Sequence, residues 1–325
     1  MDNKQEILVS ICCITYNQKD YIEKAILSFL EQKTNFKYEI LIHDDCSTDG
    51  TTEIVKEYEE KYPDLIRGLY EEENQYSKRV KISTTLVWPK ARGKYIALCE
   101  GDDYWCDEFK LQKQVDYMEK HEECTFCFTN GYCERNGVIT GPVIPWQKES
   151  KVKKSGIYNV SEIDRLGFIP TASFMFRKDN ISSLPTLKKT SFTGDNLYKL
   201  WFTFCGYAYC ISDKTCVYRR GVENSATTLW RTSNSSFQTA MNRMINMYKD
   251  LDGLMSYKHH KQFNRSIDIW LSSFHDKKRE YESLRKLSYA KIYLSNGVSP
   301  FCIYLVKCIF PKFMRKRIEK KEREQ

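Results

Sequence analysis

Hydrophobic and polar positions follow two rhythms along this chain. Ile7-Leu-Val-Ser-Ile-Cys-Cys-Ile14 is a nearly continuous apolar run, the pattern of a parallel strand covered on both faces. It ends at Thr15-Tyr16-Asn17, where Asn17 is placed to cap a helix whose Ile22, Ala25, Ile26, Phe29 and Leu30 recur as one apolar stripe. A second strand, Tyr38 to His43, runs into Asp44-Asp45-Cys46-Ser47-Thr48-Asp49-Gly50. There Ser47 is placed to cap a helix with Ile54, Val55 and Tyr58 inward and Pro63 beyond its end. Ile66 to Tyr70 predicts a third strand, Tyr95 to Cys99 a fourth, and Phe109 to His121 a helix with Leu111, Val115 and Met118 inward. Strands and helices alternating at these lengths predict an α/β fold with a doubly wound, mostly parallel, Rossmann-like sheet. Ligands bind such sheets beyond the carboxyl ends of the strands, so Thr15-Tyr16, Asp44-Asp45 and Glu100-Gly101-Asp102-Asp103 are expected at one edge.

After Asn130 the pattern loosens. Gly137 to Ser155, with Gly141, Pro142, Pro145 and several lysines, predicts an exposed loop, and Thr171 to Phe176 restores a strand. Thr193-Gly194-Asp195 opens a short helix with Leu197, Leu200, Trp201 and Phe204 inward, and Tyr207 to Ile211 and Thr215 to Arg219 predict two further strands. From about Phe237 the chain reads as helical and polar. The expected organisation is one domain over residues 1–235 and a helical C-terminal extension over residues 236–325.

Charge sharpens that division. The formal net charge is +8, yet residues 237–325 hold 19 Lys and Arg against 9 Asp and Glu, which leaves the first 236 residues slightly acidic. The basic character therefore belongs to the tail, and no nucleic-acid partner is expected for the main domain. The 13 cysteines are odd in number and most lie inside apolar runs, which reads as buried thiols in a reducing compartment. Cys124-x-x-Cys127 has the spacing of a zinc or redox pair, but no second pair follows and the residues between alternate like a strand, which favours a structural role. A polar start that runs straight into a strand does not resemble a signal peptide, and no apolar run reaches the ~20 residues a membrane-spanning helix needs. A cytoplasmic protein is expected.

Three carboxylates crowded at the end of a buried strand repel one another unless a cation or donor groups neutralise them, so Glu100, Asp102 and Asp103 point to a site. Val9-Ser-Ile-Cys-Cys-Ile-Thr-Tyr-Asn17, Asp44 to Gly50, and Gly93-Lys-Tyr-Ile-Ala-Leu-Cys-Glu-Gly-Asp-Asp103 resemble, in order and spacing, the successive signatures of family 2 glycosyltransferases with the GT-A fold. A weaker resemblance continues to about Ser225, through Pro170 to Arg177, Thr193-Gly194-Asp195 and Tyr218-Arg219, and does not cover the last hundred residues. It implies metal-dependent, inverting transfer of a hexose from a UDP-sugar to a hydroxyl of a bacterial surface glycan, such as a lipid-linked saccharide of capsule synthesis.

The same resemblance implies roles for particular residues. Asp102 matches the last Asp of the family's Asp-x-Asp motif and is the expected ligand of Mn²⁺ or Mg²⁺. Glu100 replaces the first Asp and, with Gly101, is expected on the nucleotide side, through ribose or water or by direct ligation. Thr15 is expected on the nucleotide side, Tyr16 would pack on uracil, Asp45 or Asp44 would accept its ring N–H, and Arg219 would help hold the diphosphate. The histidine often found a little beyond that arginine is missing. Asp195, after Gly194 at a helix start, is the expected general base. Plainer readings stand beside these: an Asx-rich turn at Asp44 and Asp45, a helix cap at Asp195, and a support or capping role for Asp103.

Two rival functions fit parts of the pattern. A nucleotidyltransferase would want a glycine-rich basic loop after the first strand, and Thr15-Tyr-Asn-Gln18 is not one. A non-catalytic, basic, membrane-associated binding protein leaves the acidic strand ends unexplained. The tail itself carries Val298 to Phe313, apolar but too short and broken to span a bilayer, followed by Met314-Arg-Lys-Arg-Ile-Glu-Lys-Lys321. Its two readings are a peripheral contact with the inner face of the cell membrane and a final helix docked on the protein.

Overall fold

The computed structural model of the chain describes residues 6–144, 155–188, 190–191, 194–222, 225, 228 and 234–323. It divides into two compact units, Met1–Pro185 with Asp195–Thr228, and Thr186–Gly194 with Leu229–Gln325.

In the first unit β1 (Ile7–Thr15), α1 (Lys19–Leu30), β2 (Lys37–Asp44), α2 (Thr51–Lys61), β3 (Ile66–Tyr70) and β4 (Tyr95–Glu100) follow the expected alternation. The strands lie in the order β3-β2-β1-β4, all parallel. Val9, Ile11, Ile40, Ile42, Tyr95 and Ala97 are fully buried, as continuous apolar strands between two helical layers require. Register then does the placing: Thr15 pairs with Asp44 and Ile14 with Glu100, so three strands end side by side.

Beyond β4 the sheet turns mixed. After β5 (Tyr104–Trp105) and α3 (Lys110–Lys120), β6 (Cys124–Arg135) forms a hairpin with β7 (Val138–Pro142), and β8 (Gly156–Tyr158) leads to α4 (Val160–Arg165). Next come β9 (Met175–Arg177), α5 (Gly194–Cys205) and β10 (Tyr207–Arg219). β9 is antiparallel to both β4 and β6, β10 runs parallel to β6, and β5 and β8 are antiparallel to β10.

Several expectations are corrected here. Thr171–Ser173 is a single 3₁₀ turn and only Met175–Arg177 is strand, because the carbonyls of Ala172 and Ser173 are taken by Trp105 Nε1 (2.8 Å) and Gln114 Nε2 (2.9 Å). The two strands expected between Tyr207 and Arg219 are one, whose register shifts between Ile211 and Cys216 absorb the extra residues. The loop expected from Gly137 starts as the β7 hairpin, and its residues 145–154 lie outside the described residues. Neither Asn17 nor Ser47 caps a helix. Gln18 and the left-handed Gly50 precede α1 and α2, and the two side chains instead lace the β1 and β2 exits together. Asn17 N donates to Ser47 Oγ (2.9 Å), Thr48 N to Asn17 Oδ1 (2.8 Å), and Gln18 N to Thr51 Oγ1 (2.9 Å).

The second unit contains helices α6 (Asn234–Leu254), α7 (His260–Lys277), α8 (Leu287–Ser295), α9 (Val298–Ile309) and α10 (Pro311–Arg323). A turn at Tyr281–Leu284 joins Tyr289, Ile292, Tyr304 and Cys308 in one apolar cluster. No helix among the described residues is long and apolar enough to cross a membrane. All 13 cysteines are free thiols, Cys124 and Cys127 among the buried ones, so that pair is packed as core.

Candidate active site

The carboxylate turn is built by a glycine. Gly101 N donates to Ile14 O (3.0 Å) and Asp103 N to Glu100 O (3.1 Å), which folds residues 100–103 back against the end of β1. A Cβ on Gly101 would stand 2.5 Å from Gln18 Oε1 and 2.7 Å from Thr15 Oγ1, so only glycine permits this approach. Thr15 Oγ1 donates to Gln18 Oε1 (2.8 Å), and the Gln18 side chain in turn hydrogen bonds to the Asp102 carboxylate.

Arg219 braces the turn from the end of β10. Its guanidinium donates to Asp102 O (2.8 Å) and Glu134 Oε1 (3.1 Å), and its N–H donates to Asp103 Oδ1 (2.9 Å). The guanidinium also lies 4.7 Å from the Tyr104 ring and 5.0 Å from that of Tyr21. The structure therefore places Arg219, expected at the diphosphate, as the buried brace of the carboxylates. Asp103 is engaged by that brace through Oδ1.

Glu100 and Asp102 stay partly exposed. Burial, then the neighbouring charges of Asp102 and Asp195, pushes Glu100 up to about 8, against a hydrogen bond from Thr171. Burial also raises Asp102, with Arg219 and Gln18 opposing, and it raises Asp103 well above the carboxylate range together with its two neighbours. Asp195, in the first turn of α5, is raised by burial and held back by Lys199 one turn later. Thr193, named with it in the sequence, lies outside the described residues.

At the neighbouring strand ends Asp44 and Asp45 are buried and engaged. Asp44 accepts from Ser47 N (3.2 Å), from Ser47 Oγ and from Thr52 Oγ1, the Asx-type turn of the plainer reading. Asp45 Oδ1 accepts from Gln75 N (2.7 Å) and Oδ2 from Tyr76 N (3.0 Å), so it anchors the turn after β3. Tyr16 and Tyr76, both exposed, stand on the two segments that meet at Asp45. Gln18, Tyr76, Glu134 and Thr171 were not singled out in the sequence. Gln18 had a signal, as the polar residue directly before α1 at the β1 exit, whereas the others come from segments whose place follows only from the folded sheet.

A hard divalent cation takes oxygen ligands and keeps places for phosphate and water. Among the described residues no three ligating side chains converge. Asp102 with Glu100 beside it offers carboxylate oxygens of the kind such a cation takes.

The comparisons agree with the fold. The glycosyl transferase family 2 model matches residues 10–182. An uncharacterised protein of Mycobacterium tuberculosis is 47% identical over 120 residues, 37% of this chain and 34% of its own length. The Escherichia coli UDP-Glc:alpha-D-GlcNAc-diphosphoundecaprenol beta-1,3-glucosyltransferase WfaP is 37% identical over 134 residues, 41% of this chain and 50% of its own. The chain thus spans half or less of the length of these curated relatives. S. aureus TarS in complex with UDP-GlcNAc superposes with a TM-score of 0.58 at 18% identity, covering 88% of this chain and 80% of that one, a likeness of GT-A fold.

Proposed function

The chain belongs to glycosyl transferase family 2, and from that premise we propose that it transfers a hexose from a UDP-sugar to a hydroxyl of a lipid-linked saccharide, inverting the anomeric carbon. Support for the donor comes from the UDP-GlcNAc complex of TarS, and for the acceptor from the undecaprenol-linked substrate in the name of WfaP. The observation that carries the reading is that Thr15, Asp44 and Glu100 end three adjacent parallel strands, with the carboxylate turn of residues 100–103 folded back against the end of β1.

In this reading Thr15, Tyr16, Asp44, Asp45, Glu100 and Gly101 form the nucleotide side, with Tyr16 packed on the base. The acceptor oxygen attacks the anomeric carbon from the face opposite the diphosphate and gives its proton to the Asp195 carboxylate. The bond to the diphosphate oxygen breaks and its electron pair leaves with UDP. Asp102 would hold a Mn²⁺ or Mg²⁺ ion, which would supply positive charge to offset that growing on the diphosphate. Arg219 and Gln18 hold Asp102 in place for it.

Calorimetry of the full chain with UDP and Mn²⁺, repeated with chelator, tests the donor side. Binding is expected only with metal, and metal-independent or absent UDP binding rejects it. Asp195→Asn is expected to lower kcat by about 10²–10⁴-fold, the usual contribution of a general base, with UDP affinity kept. Near-normal turnover in that variant rejects Asp195 as the base.

A further inference from the structure

Helix α9 is apolar on both sides. Phe301, Tyr304 and Cys308 face the cluster inside the second unit, with Tyr304 Oη donating to Leu284 O (2.9 Å) and Arg285 Nε to Cys308 O (2.9 Å). On the opposite side Ile303 (50%), Val306 (37%), Ile309 (60%) and Phe310 (58%) are exposed, and Val298 at the helix start is 73% exposed. The one charged side chain between Val298 and Phe310 is Lys307, and it turns onto Asp276, at 2.6 and 2.7 Å from its two oxygens. An outer face more than two turns long thus shows water almost nothing polar, whereas a surface helix ordinarily turns charge outward.

Helix α10 continues the surface with the opposite chemistry. Met314 and Ile318 pack inward, and Arg315 donates to Arg279 O (3.0 Å) and pairs with Glu282. Lys312, Lys316 and Arg317 point outward around exposed Phe313. Along two consecutive, anchored helices the outer face passes from apolar to cationic.

We propose that the outer faces of α9 and α10 form a docking surface for an anionic lipid bilayer, with the α9 face set among the acyl-chain ends of the headgroup layer and the α10 cations on the lipid phosphates. Charge complementarity selects this occupant. A second copy of the chain docking face to face would bring two cationic α10 surfaces together, whereas an anionic bilayer offers apolar depth beside negative charge. Twelve residues of helix span about 18 Å, so α9 lies in the interface and does not cross it. The proposal goes beyond the transfer reaction and does not depend on which acceptor is used.

The test is flotation of the full chain with phosphatidylcholine vesicles and with vesicles containing roughly one third phosphatidylglycerol, alongside maleimide labelling of Cys302, exposed on α9. The wild type is expected to float with the anionic vesicles only. Ile303→Ser with Ile309→Ser, and separately Lys312→Glu with Lys316→Glu, should each lower partitioning at least about tenfold, with unchanged thermal melts because all four side chains are exposed. Anionic vesicles should slow alkylation of Cys302 and leave that of exposed Cys106 and Cys205 unchanged. Failure of the wild type to float, variants that float as it does, or Cys302 alkylation unaffected by vesicles overturns the proposal. So does a dimer in sedimentation that shields Cys302 without lipid.

Discussion

Gly101 ties the backbone of the site to its chemistry. Its missing side chain lets residues 100–103 close against Thr15 and Gln18, and Gln18 is the contact that orients Asp102. A methyl group there meets Thr15 as well as the movable end of Gln18, and buried Thr15 cannot yield. Gly101→Ala is therefore expected to keep the fold while costing about 1–3 kcal/mol in urea unfolding, the usual scale of overpacking. Its kcat/KM should fall at least about tenfold, with weakened metal-dependent UDP binding as the accompanying sign. Unchanged binding and turnover would remove Gln18 and the turn from the site. The sequence showed the carboxylates because charge is conspicuous at a strand end. It did not show Arg219 as a brace, since its partners Asp102, Asp103 and Glu134 lie 85 to 117 residues away in the chain and meet it only through the pairing of β10 with β5 and β6.

At the scale of elements, the parallel strands β1, β2 and β4 were legible because burial on both faces leaves an uninterrupted apolar run. The 3₁₀ turn at Thr171–Ser173 was not, because its apolar residues also suit a strand and what decides is which side chains take its carbonyls. One of those, Gln114, sits on α3 beside a residue no sequence pattern marked: Lys110, fully buried, with Nζ 2.8 Å from Gln114 Oε1 and 4.2 Å from the centre of the Trp105 ring. Burial pushes the Lys110 ammonium down to about 8 from its usual 10.5. Between those values the unfolded chain binds a proton that the folded chain does not, so holding the charge inside costs stability in full below pH 8 and the cost fades as pH rises toward 10.5. The stability of the wild type relative to Lys110→Met is accordingly expected to rise between pH 8 and 10.5 and to be flat from pH 6 to 7. Chemical denaturation across that range measures the difference, which cancels the tyrosine and cysteine titrations common to both proteins. A flat difference across pH 8 to 10.5 would mean that Lys110 keeps its ordinary proton affinity.

For the whole molecule, chain order and spatial grouping part company at one place. Residues 186–194 group with the helical unit, where Asn246 Nδ2 donates to Thr190 O (3.4 Å) and Leu187 and Ser191 are buried. Composition gave no sign of this, because a short segment inside the α/β part carries no charge bias to set it apart. In the chain the segment is followed by Gly194 and the proposed base Asp195, and whether its packing among the helices matters to turnover is open to a truncation experiment. A chain ending at residue 235 keeps every strand of the sheet and the carboxylate turn, yet leaves Leu187 without the helices of its own unit. Such a chain is expected to bind UDP with Mn²⁺ within a few-fold of the full protein and to lose at least about tenfold in kcat. Trypsin should cut it after Lys188 several-fold faster than it cuts the full chain, since local unfolding of an uncovered segment opens it to the protease. Full turnover with unchanged cleavage at Lys188 would show that the sheet unit orders Asp195 alone, whereas loss of UDP binding as well would show that the helical unit supports the nucleotide side too.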